Sequence, residues 1–175
     1  MRPPGACRGL PTARPAAHAE VVRDPVITMK PAIRRGMRTL FLDFDGVLHA
    51  ANGPAFTHAP LLADVLRGHA VQIVITSSWR INQAMVDMVA RLGPLACPVV
   101  DTTPVIGNGS DRQREIECWR DGHYAEDFRV LDDDARLFEP GWPPLILCDG
   151  STGLNQPAID MLRAWLKQPI GDLLR

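Results

Sequence analysis

Asp43 and Asp45 stand one residue apart at the end of an apolar run, Leu40-Phe41-Leu42, and Gly46 follows them. A short apolar run closed by a glycine turn reads as a buried strand. In extended chain, residues i and i+2 point to the same side. The two carboxylates therefore converge at the carboxyl end of that strand, which is where ligands bind in open α/β sheets. Like charges held together call for a shared proton or a cation. A hard divalent ion such as Mg²⁺ answers that need with oxygen ligands. A helix-loop-helix calcium site is excluded, because its sixth loop position, counted from Asp43, is Leu48 where glycine is required.

The elements that must position these groups repeat one pattern. Val71–Thr76 is a second apolar run, ending in the hydroxyls Thr76, Ser77 and Ser78 and then Trp79-Arg80. Pro98-Val99-Val100 reads as a short third strand, Phe128–Leu131 as a fourth ending in Asp132-Asp133-Asp134, and Leu145–Leu147 as a fifth ending at Asp149-Gly150. Between them lie helical patterns. One spans about Pro60–Gly68. A second places Ile81, Met85, Met88, Val89 and Leu92 on one face and closes at Gly93-Pro94. A third covers about Arg112–Arg120, after the turn Gly107–Ser110, which lacks the ending of a nucleotide-binding P-loop. The last starts near Asn155 with Pro157 in its first turn and buries Ile159, Leu162, Trp165 and Leu166. Alternating strands and helices predict a parallel sheet covered on both faces, in an α/β class fold. Functional groups then fall at four strand ends along one edge of that sheet.

The bulk properties set the frame. A chain of 175 residues suits one domain with a real core. A net charge of −1 gives no global attraction to nucleic acid. Residues 1 to 38, however, carry eight basic side chains against Glu20 and Asp24. This part is rich in Pro, Ala and Arg and has no periodicity, so residues 1–37 read as a disordered basic leader and 38–175 as the folded domain. The leader has no signal-peptide core. An organellar transit segment, an upstream start ahead of Met29 or Met37, and an arm touching nucleic acid all remain open for it. No stretch approaches transmembrane length. Cys7, Cys97, Cys118 and Cys148 are widely spaced, against a zinc site or a disulfide framework, and three of them sit among apolar residues. A reducing cytoplasm is expected, with no membrane partner. A monomer satisfies the sequence.

The chain resembles the haloacid dehalogenase (HAD) superfamily of aspartate-nucleophile phosphohydrolases, and looks like the small HAD domains associated with Swiss Army Knife RNA repair proteins. The resemblance runs from about Arg38 to Leu166. It rests on Leu42-Asp43-Phe44-Asp45-Gly46-Val47-Leu48, Ile75-Thr76-Ser77-Ser78-Trp79-Arg80, Arg112 with Glu115-Ile116, Leu131-Asp132-Asp133-Asp134, and Asp149 with Gly153-Leu154. It implies a Rossmann-like three-layer α/β/α sandwich with a parallel sheet of about five strands. It further implies that Asp43 attacks phosphorus and becomes an aspartyl phosphate. Asp45 then serves as acid and base, and Thr76, or Ser77, binds a phosphoryl oxygen. Arg112, with Arg114 as the alternative, offsets charge where the family usually has Lys. Mg²⁺ would lie among Asp43, Asp45, Asp133 and Asp132, with the Phe44 carbonyl nearby. Asp134 is expected to be exposed, and Asp149 either to bond the following loop or to reach the metal shell. Trp79 and Arg80 are expected to be structural, and His49, His58 and His123 to be loop or surface residues.

The gaps between motifs imply a capless or minimal-cap fold. Thirty residues separate Asp45 from Thr76, and ten separate Asp101 from Arg112. Neither gap holds a domain of about 50 residues. Only the loop Ala50–Thr57 could cover the site. The leading expectation is a Mg²⁺-dependent phosphatase acting on a phosphorylated small molecule or, better suited to an uncapped site, a phosphorylated nucleic-acid end. The alternatives are a phosphotransferase of the same chemistry and a catalytically idle module that binds a phosphorylated partner.

Overall fold

The computed structural model describes residues 36–107, 111–123 and 125–170. The leader expected over residues 1–37 lies outside these but for its last two residues, as does most of the turn at 107–110.

Five strands, β1 (Arg38–Leu42), β2 (Val71–Ile75), β3 (Val99–Thr102), β4 (Phe128–Asp132) and β5 (Leu145–Leu147), form one sheet in the order β3-β2-β1-β4-β5. Every pairing is parallel. The four helices are α1 (Ala59–Leu66), α2 (Met85–Arg91), α3 (Arg112–His123) and α4 (Gln156–Lys167). The chain winds outward from β1 to β3, then returns to the other side of β1 with β4. That reversal puts a crevice between the carboxyl ends of β1 and β4.

Alternation along the strands makes two cores. Leu40, Leu42, Ile73 and Ile75 pack with Leu62, Met88, Leu162 and Trp165 from α1, α2 and α4. Phe41, Val74 and Val130 turn to the opposite face and meet Ile116 and Trp119 of α3. β1 is buried along its whole length, as a central parallel strand covered on both faces should be. α4 starts as its sequence predicts, with Asn155 Oδ1 accepting from the Ala158 N–H and Pro157 in the first turn. Its far end is tied to β1: buried Arg38 donates to Asp127 Oδ2 at 2.9 Å, to the Leu166 carbonyl at 2.8 Å and to the Gln168 carbonyl.

Two expectations are corrected. The helix read over Ile81–Leu92 is split: a 3₁₀ turn, Ser78–Ile81, precedes α2, which begins at Met85. Ile81 is exposed rather than on the buried face. The cause is local, since Ser77 caps the 3₁₀ turn and Ala84 is extended. Of the three thiols placed in apolar surroundings, only Cys148 is buried, while Cys97 and Cys118 are exposed.

Candidate active site

Past Leu42 the chain leaves the sheet through Gly46, whose φ of 66° lies in the left-handed region that glycine enters without steric cost. The N–H groups of Val47 and Leu48 both donate to the Phe44 carbonyl, at 3.2 and 2.8 Å. The Phe44 carbonyl, which the resemblance placed near the metal, is thus engaged by the turn.

At the crevice, Asp43 meets the end of β4. Asp43, Asp132 and Asp133 bring carboxylate oxygens within 4.8 Å of one another. Arg112, the first residue of α3, reaches in from the opposite face. Its Nη1 donates to Asp132 Oδ2 at 2.6 Å and stands 3.4 Å from Asp43 Oδ2. Burial pulls the Arg112 pKa down, but the Asp43 and Asp132 charges outweigh it and raise the pKa above its ordinary value, so the cation is permanent. Burial, reinforced by Asp43, pushes the Asp132 carboxyl well up despite Arg112. The same two causes, in the same order, raise Asp133.

The three adjacent aspartates differ in what they hold. Both oxygens of Asp132 are engaged, one by Arg112 and the other by the Asp134 N–H at 3.0 Å. Asp134 turns away and pairs with exposed Arg136 at 2.8 Å. Asp133 instead lies in a slot between two glycines. A Cβ on Gly46 would stand 2.1 Å from Asp133 Oδ2, and one on Gly150 would stand 2.4 Å from it. Asp43 and Asp133 are therefore the carboxylates best placed to bind a cation directly, with Asp132 behind them orienting Arg112.

Asp45 does not join this group. His49 Nε2 lies 3.0 Å from Asp45 Oδ1, and Trp79 Nε1 donates to Asp45 Oδ2 at 2.8 Å. His49, read from the sequence as a loop or surface residue, is buried at 4% exposure. The turn after Gly46 folds it back over Asp45, four residues upstream. The spacing of Asp45 and His49 alone did not reveal this, because it requires the turn.

At the end of β2, Thr76 is fully buried and its Oγ1 has no hydrogen-bond partner among the described residues. Ser77 Oγ accepts from the Trp79 N–H and so caps the 3₁₀ turn. Of the two hydroxyls, that of Thr76 is the one without a partner among the described residues. Arg80 donates to the Thr76 and Ser77 carbonyls and pairs with Glu115, which is completely buried. Arg114 is exposed and 3.9 Å from Asp111, away from the cluster. Asp149 accepts from the Ser151 N–H and Oγ at 2.9 and 2.7 Å, so it organises its own loop. His58 bonds the Thr152 carbonyl at 3.0 Å, and His123 stacks on Trp119. A cavity of about 680 Å³ lined by Asp111, Gln113, Arg114, Glu117, Arg136 and Glu139 stands apart from this cluster, and its mixed charges give it no preference for anions.

The donor set fits Mg²⁺. It offers hard carboxylate oxygens only, and the negative charge of Asp43 that raises Asp132 and Asp133 is of the kind a divalent ion relieves. The Arg112 cation stands beside this set, 3.4 Å from Asp43, and the Thr76 hydroxyl at the end of the neighbouring strand has no partner among the described residues.

Comparison with protein families matches residues 39–159 to the HAD domain in Swiss Army Knife RNA repair proteins. No curated protein and no solved structure matches the chain.

Proposed function

The chain belongs to the family of HAD domains in Swiss Army Knife RNA repair proteins, and from that premise we propose that it is a Mg²⁺-dependent phosphatase working through an aspartyl phosphate on Asp43. The observation that carries this reading is the juxtaposition of Asp43 with Arg112 3.4 Å away, Asp132 and Asp133 at the crevice between β1 and β4.

Asp43 supplies the nucleophilic oxygen. The O–P bond to Asp43 forms as the bond to the leaving oxygen breaks, and Asp45 gives that oxygen its proton. Water then attacks phosphorus, Asp45 recovers a proton from it, and Asp43 leaves as a carboxylate. Arg112 and the Thr76 hydroxyl bear charge on the phosphoryl oxygens throughout. Asp43 and Asp133, with Asp132 behind them, would hold the Mg²⁺, which supplies Lewis-acid stabilisation and fixes the line of attack. Phosphorylated nucleic-acid ends, or another large phosphorylated molecule, are the substrates we favour, since no cap-sized insertion stands over the strand ends among the described residues.

p-Nitrophenyl phosphate tests the chemistry. Turnover is expected with Mg²⁺ and is lost with EDTA. Asp43→Asn should lower it by several decades with the fold intact. Wild-type turnover in the Asp43→Asn protein would remove the covalent mechanism.

A further inference from the structure

We infer that His49 and Trp79 are positioning residues that clamp Asp45, the acid and base of the reaction, from both of its oxygens. The inference rests on the phosphatase reading and adds two residues to it.

Three hydrogen bonds run in series. The Phe56 N–H donates to His49 Nδ1 at 3.4 Å. A backbone N–H can only donate, so Nδ1 is the acceptor and the neutral ring carries its proton on Nε2. That nitrogen then donates to Asp45 Oδ1 at 3.0 Å. From the other side, the indole N–H of Trp79, a group that only donates, meets Asp45 Oδ2 at 2.8 Å.

The clamp is built from rigid parts. Trp79 sits in the 3₁₀ turn after β2, a turn fixed by Ser77 and by the Arg80 bonds to the carbonyls of Thr76, Ser77 and Thr103. Its ring packs edge-on against Phe44 and Phe56, at 5.7 and 5.3 Å between centroids. Phe56 holds a φ of 63°, an uncommon conformation for an aromatic residue, and it is the residue whose N–H fixes the His49 tautomer. The loop Ala50–Thr57 is in this way tied to the acid and base.

Each carboxylate oxygen has two lone-pair sites. One on each oxygen accepts a clamp N–H, which leaves the other free to exchange a proton with the leaving oxygen and then with water. Even with the clamp in place the Asp45 side chain is 47% exposed, and these are the two side-chain bonds that aim it among the described residues. A misplacement of about 1 Å costs up to about 10²-fold in rate.

The leaving group separates this role from simple packing. An alkoxide must be protonated as it leaves, whereas p-nitrophenolate departs as a stable anion. Trp79→Phe keeps the aromatic packing and removes the N–H. It is expected to lower kcat/KM for β-glycerophosphate, relative to that for p-nitrophenyl phosphate, by about 10-fold or more, within the range of general acid catalysis. His49→Leu should shift the ratio in the same direction, and His49→Gln, which can still donate, should restore part of it. If the variants fold and lose both activities in equal proportion, the clamp is overturned while the phosphatase reading stands. If the wild-type protein hydrolyses neither ester with Mg²⁺, both are overturned.

Discussion

Asp133 owes its place to two residues that have no side chain. The Gly46 turn follows β1 and Gly150 follows β5, and between them they leave room for one carboxylate. At Gly150 the obstruction is side chain rather than backbone, so Ala there would be expected to rotate the Asp133 carboxylate aside, not to unfold the chain. Gly150→Ala should weaken Mg²⁺ binding about 10-fold or more, the loss typical of disturbing an orienting contact at a metal, with little change in melting temperature. Asp133→Ala should weaken it further, and Asp134→Ala, which removes only the surface pair with Arg136, should not. Isothermal calorimetry checks the order, and an Asp134→Ala loss exceeding that of Asp133→Ala would move the metal site by one residue. Periodicity located the strand ends and helix start that carry Asp43, Thr76, Arg112 and Asp133, and the family resemblance singled out Arg112 and Asp133 there; the structure brings Asp43, Arg112 and Asp133 together. The sequence hid His49 and Gly150, whose roles depend on loops brought together from distant parts of the chain. It also drew Asp45 into the metal set, since i and i+2 share a side only while the chain stays extended, and here the turn closed on the Phe44 carbonyl already contains Asp45.

At the scale of elements, the link between β2, β3 and α3 is a buried ion pair. Arg80 leaves the 3₁₀ turn after β2 and joins Glu115 of α3, with side-chain exposures of 2% and 0%. Glu115 Oε1 also accepts from the Ile106 N–H at 2.9 Å, closing the connection that leads from β3 into α3. α3 carries Arg112, so this pair helps set how Arg112 approaches Asp43 and Asp132. Glu115→Ala would strand a buried guanidinium and is expected to cost about 3–5 kcal/mol in urea unfolding. Glu115→Gln keeps an acceptor for Ile106 and should cost less. Equal midpoints for the three proteins would show that the pair carries no stability. Strand positions and α4 were readable from runs and caps. The break between the 3₁₀ turn and α2 was not, because Ile81 fits a 3.6-residue period with Met85 and Met88 while Arg80 and Ser77 hold the turn to the sheet edge through hydrogen bonds that no periodicity reports.

For the molecule as a whole, what stands over the strand ends decides what can reach them. Between β1 and β2 the chain builds only the Gly46 turn, the loop Ala50–Thr57 and α1. Between β3 and α3 it spends nine residues, 103 to 111. The motif spacing had implied as much, and here length is the physical reason: a segment far below about 50 residues cannot fold as a separate cap. The loop Ala50–Thr57 is pinned beside Asp45 through Phe56 and His49. Among the described residues no cap-sized segment is available to surround a small metabolite, and without one a small substrate would contribute little binding energy. A phosphate carried on a large molecule can instead draw on contacts with the surface around the crevice, and remote binding of that kind raises turnover as well as affinity. A phosphorylated oligonucleotide is therefore expected to exceed sugar phosphates and free nucleotides in kcat/KM by about 10-fold or more, the effect of roughly 1.4 kcal/mol of added transition-state binding. Measuring all three substrate types on one preparation, with the 3′- and 5′-phosphorylated oligonucleotides run separately, decides it. A strong preference for one small metabolite would mean that something beyond these strand ends encloses the substrate, and would turn attention from nucleic-acid ends to a partner that completes the site.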